Sequence, residues 1–264
     1  MSELPRPSHL FHHIVPSASL PTESLPTILA IDTATEALSL ALLHRGERRA
    51  LHRVMPRQQQ QQLFPCLEEL LDGTPPGDLG LDAIAFGRGP GSFTGLRIAT
   101  SAAQGLAFAL AIPVLGVSTL ETQVRSWWRH QNMTEDCFVV SGIDARIGQT
   151  YFASYIMQDG RLRSLGPARL AVPAAIPLQP HQPEYGHLPR YAVGSGLRPA
   201  GESAPGLVPL QGSWPEVLPE AEDMLDPALA LLAAGEALPA EAAVPDYVQK
   251  RIGWKTLAEQ GRRA

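Results

Sequence analysis

IDTATEALSLALLHRG, residues 31–46, has a counterpart in IDARIGQTYFASYIMQDG, residues 143–160, and this pair decides how the rest of the chain is read. Each opens on Ile-Asp at the end of an apolar run, turns through small or polar residues, and returns as a long strand closed by a glycine turn. Ile31 and Ile143 stand 112 residues apart, about half a domain, so the pattern predicts a duplicated unit. Working outward, TILAIDTA, ALSLALLH and ERRALHRV read as three consecutive strands, the last two joined at His44-Arg45-Gly46. Gln58–Asp72 follows with Leu63, Leu67 and Leu70, and Phe64 and Leu71, at helical spacing; Pro65 either opens its regular part or kinks it. Next come a buried strand at Asp82–Gly87, the loop GRGPGSFTGLR (Gly87–Arg97), a helix over Thr94–Ala111 and a strand at Pro113–Ser118. The order is β-β-β-α-β-α-β. The second copy is eroded: the proline-rich stretch Leu165–Pro189 leads to a strand in YAVGSG (Tyr191–Gly196), then to a helix over Ala221–Leu238. The expected divisions are therefore a disordered extension at 1–26, a first half at 27–117, a degenerate second half at 118–238 that includes the C-terminal helix, and a tail at 239–264.

Composition narrows the classes. The 264 residues are 44% apolar and 18% charged, with net charge −5, enough for a two-lobed protein with a sizeable core. A dedicated nucleic-acid binder with a global positive field is excluded, so any RNA contact needs a local patch or a partner. Cys66 and Cys137 lie far apart in apolar contexts and read as small buried thiols. No apolar run reaches the length of a membrane span, and residues 1–26 lack a signal peptide's compact apolar core. A reducing, cytoplasmic setting is expected.

A β-β-β-α-β-α unit repeated twice resembles the actin-like, ribonuclease-H-like superfamily, in which two lobes face a nucleotide cleft. The expected fold class is thus α/β, two-lobed and actin-like, with a degenerate second lobe. Actin-like ATPases carry Asp-x-Gly in each lobe, the glycine letting the turn approach phosphate and the aspartate organising a metal. Here the triplets are Asp32-Thr33-Ala34 and Asp144-Ala145-Arg146: both aspartates are present and both glycines absent. An Asp at a strand end also caps its own turn, a reading left open for Asp32. The glycine loop permits close backbone approach, and Ser92 or Thr94 can cap the helix whose N-terminal amides favour an anion. Asp32, Thr33, Gly89, Gly91, Ser92, Asp144 and Gly194 are therefore the candidates for a vestigial nucleotide or anion site. No Walker lysine, no paired-histidine metal motif and no G-x-S-x-G around Ser92 occurs, which leaves no catalytic residue and no metal site to name. The second helix, TGLRIATSAAQGLAFALA, carries small residues and hardly any charge beyond Arg97, so more than one side of it should be covered, by the second lobe or by another protein.

ILAIDTATEALSLAL, AFGRGPGSFTGLRIATSAAQGLAFAL, PVLGVSTLET, GIDARIGQTYFASY, AEDML and PDYVQKRIGWK together resemble the bacterial TsaB (YeaZ) family over residues 27–256. The resemblance implies a non-catalytic subunit in N6-threonylcarbamoyladenosine synthesis at position 37 of tRNAs reading ANN codons. It implies binding and activation of TsaD, the transferring paralogue, with the ATPase TsaE in the larger assembly; when TsaD is absent, a homodimer that buries the same helix surface is expected. It places the TsaD contact on the two helices of the first lobe, which here gives Gln59, Leu63, Leu67, Leu70, Thr94, Arg97, Ala99, Ala103 and Leu106. No cofactor is implied for this subunit; weak ATP or ADP binding is compatible with the loop. Family members often carry a His where this chain has the run Gln58–Gln62. Two other readings stand beside this one: a stand-alone actin-like ATPase or phosphotransferase, and RNA contact through a basic tail bearing Lys250, Arg251, Lys255, Arg262 and Arg263.

Overall fold

Two twisted sheets with the same strand order carry the chain. In a computed structural model that describes residues 25–197 and 210–248, the first sheet runs β3-β2-β1-β4-β5: β1 Ile28–Asp32, β2 Ala37–His44, β3 Glu47–Val54, β4 Ala83–Gly89 and β5 Val114–Ser118. The second runs β8-β7-β6-β10-β11: β6 Cys137–Asp144, β7 Thr150–Gln158, β8 Arg161–Ser164, β10 Arg190–Val193 and β11 Gly212–Trp214, with β9 Arg169–Ala171 also pairing β7. In each, an antiparallel meander of three strands continues into two parallel ones. The duplication and the actin-like α/β architecture are thereby observed. The expected extension, apart from Leu25 and Pro26, and the basic end of the tail lie outside the described residues.

Erosion of the second copy has a definite form. In the first half α1 (Gln59–Leu70) and α2 (Phe93–Leu110) link β3 to β4 and β4 to β5. In the second half the link from β8 to β10 is only β9 and short 3-10 turns. Five prolines between Pro167 and Pro183 remove the amide donors a helix would need. α1 starts at Gln59, so Pro65 is interior to it, on its exposed side.

Two helices reach across the repeat. α3 (Thr119–His130) packs on the second sheet, with Leu120, Val124 and Trp127 among Val139, Ile143, Tyr191 and Val193. It has no counterpart in the strand-and-helix order read above, although its signals are local. Ser118 accepts from the Glu121 N–H at 3.4 Å, and Arg129 and His130 end the helix. α4 (Leu225–Ala233), preceded by a 3-10 turn at Ala221–Met224, is shorter than Ala221–Leu238. It lies on the first sheet, not the second: Ala221, Met224, Leu225 and Ala228 pack against Ile28, Ala30, Leu43, Ala85 and Leu115. The expected divisions group this helix with the second half, while its packing contacts are with the first sheet. The first sheet needs it because β1 and β2 are buried on both faces, and α1 and α2 cover only one. The tail also begins packed, since Ala240 and Ala243 are buried beside α2 and Leu238 exchanges two backbone bonds with Val114.

Residues 220–223 tie the halves together. The Glu220 and Ala221 amides donate to Ser126 of α3 and Ser39 of β2, at 3.0 and 2.8 Å. Arg129 meets Glu220 at 2.6 Å and Asp223 at 2.9 Å, and His130 meets Glu220 at 2.7 Å. These partners outweigh burial and hold the Glu220 carboxyl down at about 2.

Candidate functional site

The glycine loop is filled by this chain's own backbone. The turn after β1 places Asp32, Thr33 and Ala34 against the loop leading into α2. Ala34 O accepts from the Ser92 N–H at 2.7 Å, and Thr33 donates its hydroxyl to Gly95 O at 2.7 Å. A Cβ on Gly95 would lie 1.9 Å from Thr33 O, one on Gly91 2.5 Å from Ala34 O, and one on Gly87 1.9 Å from an Asp32 carboxylate oxygen. These glycines therefore admit protein atoms at closer than van der Waals distance for any other residue. Gly89, at φ +113°, has the Asp246 carbonyl oxygen and Leu96 at 3.1 Å from where its Cβ would be. Ser92 caps α2 by accepting from the Gly95 N–H at 3.4 Å.

Asp32 is sealed in. It is 2% exposed, its Oδ1 accepts from the Ala34 N–H at 2.9 Å, and Thr119 donates to Oδ2 at 3.4 Å. Burial outweighs both bonds and pushes the carboxyl up to about 7. Asp144 makes the same local bond, from the Arg146 N–H at 2.8 Å, but stands exposed, with its own N–H donating to Ser195. Both aspartates thus accept a backbone bond from their own turns, the capping geometry left open above for Asp32 alone. Gly194, at φ +102°, would place a Cβ 2.3 Å from Gly142 O and 2.5 Å from the Gln123 side-chain amide. That amide is itself held by Ser141 and Val217 O, at 2.7 and 2.8 Å. The seven candidate anion residues therefore form two separate sets, Asp32, Thr33, Gly89, Gly91 and Ser92 on one sheet and Asp144 and Gly194 on the other. Among the described residues no hydrogen bond joins them, and no cluster of three His, Cys, Asp or Glu side chains could hold a metal.

Asp32 sets a pH dependence whose sign can be worked out. Folded, it keeps its proton up to about pH 7; unfolded, it releases it near 3.8. Its contribution is fully present below pH 3.8 and is lost as pH rises towards 7. Asp32→Asn keeps an acceptor for Ala34 and no longer ionises, so denaturant unfolding at pH 4.5, 6 and 7.5 should show a flatter profile than wild type. An unchanged profile would mean that Asp32 is ionised in the folded chain.

α1 and α2 lie side by side on the first sheet, and their inward faces differ from the expected interface. Leu63, Leu67, Leu70, Ala99 and Ala103 are buried in this chain's own core, and Gln59 donates to Thr35 O at 3.1 Å. Leu106 packs half-buried against the same core. Of the nine residues named, only Thr94 and Arg97 are exposed. Arg97 lies 3.9 Å above the Phe93 ring and 3.4 Å from the Tyr247 hydroxyl, which engages it with the C-terminal segment. What α1 and α2 leave open is Phe64, 59% exposed, and Phe108, 77% exposed, with Ser101, Gly105 and Ala109 also on the outer face. A Cβ on Gly105 would meet nothing within 4 Å. The sequence carried this signal in Phe108, four residues after Gln104 and three after Gly105, but periodicity alone does not say which stripe faces the sheet.

A two-sheet actin-like protein whose glycine loop is closed by its own β1–β2 turn is the class these features define. The family described as TsaD: tRNA N6-adenosine threonylcarbamoyltransferase matches residues 53–192. The tRNA threonylcarbamoyladenosine biosynthesis protein TsaB of Escherichia coli K12 is 36% identical over 230 residues, covering 87% of this chain and 97% of that protein. The structure of YeaZ from Pseudomonas aeruginosa superposes with TM-score 0.72 at 37% identity, covering 84% of this chain and all of that one. A second Pseudomonas aeruginosa structure, described as an uncharacterised protein with similarity to peptidase YeaZ, does so with TM-score 0.74. The chain belongs to the TsaB (YeaZ) family, a branch of the TsaD-like fold.

Proposed function

We propose that this chain is a non-catalytic subunit of the machinery that transfers threonylcarbamoyl to adenosine 37 of tRNA, and that it acts by docking on TsaD through the outer faces of α1 and α2. The observation that carries the reading is the exposed pair Phe64 and Phe108 on neighbouring helices, beside small residues that let another helix come close. TsaE in the larger assembly and self-association through the same face when TsaD is absent complete the proposal. No helix among the described residues is long and apolar enough to cross a membrane.

The peptidase reading suggested by one relative's description finds little support. Ser92 spends its hydroxyl as a helix cap, and among the described residues no hydrogen bond joins a Ser or Cys to a His. A stand-alone ATPase is likewise disfavoured, because Thr33 and Ala34 occupy the space beside the loop glycines. In a reconstituted assay the purified chain is expected to show no ATP turnover and no transfer by itself, and to raise transfer when added to TsaD. Robust hydrolysis by the chain alone, abolished in Asp32→Asn, would replace this reading with the ATPase one.

A further inference from the structure

The covering layer of the second sheet is rich in arginine and poor in acids. Between Arg161 and Leu197 there are four arginines, two histidines and a single acid, Glu184, in a protein of net charge −5. Register puts the arginines on one face. Arg163 pairs with Ile156, Arg161 with Gln158, Arg169 with Phe152 and Arg190 with Phe138, and Phe138, Phe152 and Ile156 all belong to the core layer turned away from α3. Arg161, Arg163 and Arg169 are exposed, as are His181 and His187. Arg163 bonds the Tyr185 hydroxyl and lies 5.2 Å from the centre of its ring.

Arg190, in register with Phe138 on the adjoining strand, adds a buried positive charge behind this face. Its side chain is buried, with 9% exposure; Nη2 donates to Gly186 O at 2.8 Å, while Nε has no partner among the described residues. Among the described residues no carboxylate comes within ion-pair distance of it. A buried guanidinium without a counter-charge is costly, and natural chains usually neutralise one. On the same side of the sheet a cavity of about 60 Å³ is lined by Phe138 and Phe152 together with Arg169, His181, Gln179 and Gln182. Pockets for whole small molecules run to roughly 300 Å³ or more, so this one suits a group projecting from a chain that lies across it.

We propose that this face, from Arg161 and Arg163 to Arg169, is a docking surface for the phosphodiester backbone of RNA, with the buried Arg190 adding to the positive potential behind it. Resting on the functional reading above, it assigns RNA a place on the second lobe, away from the helices proposed to hold TsaD. Guanidinium forks match phosphate oxygens, and the apolar lining of the cavity can take a ribose or base edge without reading sequence.

The test titrates a fluorescent tRNA transcript with the full chain, alone and with TsaD, from about 50 to 200 mM salt. Every phosphate deprived of its arginine should reduce the slope of log affinity against log salt by about 0.7–0.9. The exposed pair Arg161→Gln/Arg169→Gln should therefore lower the slope by about 1.5 and weaken binding several-fold at low salt, with the melting temperature unchanged. Arg48→Gln/Arg49→Gln, on the edge of the first sheet, should leave both values as in wild type. An unchanged slope in the first pair, an equal loss in the second, or no measurable RNA affinity in either wild-type form would each overturn the proposal. Co-purification with TsaD, scored in parallel, separates this outcome from failure of the partner reading, since the first pair should retain TsaD.

Discussion

Phe108→Glu is expected to weaken binding to TsaD by about 100-fold or more, close to 3 kcal/mol, while the chain's own unfolding midpoint stays within a degree or two of wild type. Phe108 is the most exposed large apolar side chain among the described residues, at 77%, so a carboxylate there costs the isolated fold almost nothing. In a desolvated interface the same carboxylate would be buried without a partner. Phe64→Glu on the adjacent helix should have a smaller effect of the same sign, because its ring is less exposed. Ala103→Glu cannot serve this purpose. Ala103 is 0% exposed within the first core, and a glutamate there would unfold the first lobe before any partner met it. Titration calorimetry or a pull-down with purified TsaD decides the matter, and wild-type affinity in Phe108→Glu would remove α2's outer face from the interface.

Gly95→Ala should destabilise the chain by about 3 kcal/mol, an overpacking penalty at the upper end of its usual range. The added methyl would stand 1.9 Å from a backbone carbonyl oxygen, that of Thr33, which cannot rotate away. Relief requires α2 to shift off the β1–β2 turn, breaking the bonds Thr33 Oγ1 to Gly95 O and Ser92 N to Ala34 O. Gly105→Ala, in the same helix, offers a control of opposite sign. Its methyl meets nothing within 4 Å, so helix propensity alone should raise stability by about 0.5–1 kcal/mol. Equal melting temperatures for Gly95→Ala and wild type would show that the turn does not fill the loop, and the phosphate-cradle reading would return.

The legible part of this protein is its local grammar. Apolar runs of β-forming residues, glycine turns such as His44-Arg45-Gly46 and the repeated Ile-Asp hairpin are recorded in neighbouring residues, and each strand they predict is present. The Ser118–Glu121 start of α3 was written in the same grammar. Three decisions needed the tertiary structure. Gly95, Ala99, Ala102, Ala103 and Gly105 spread over more than one face of a helix, so only packing on β4 and β1 determines which of them are core and which remain open. The helix at Leu225–Ala233 carries no local mark of its destination; it returns to the first sheet because β1 and β2 would otherwise expose an apolar face. What lies against GRGPGSFTGLR was decided the same way. A glycine permits close approach without specifying what approaches, and here it is Thr33 and Ala34, some sixty residues earlier in the chain, that the fold brings there.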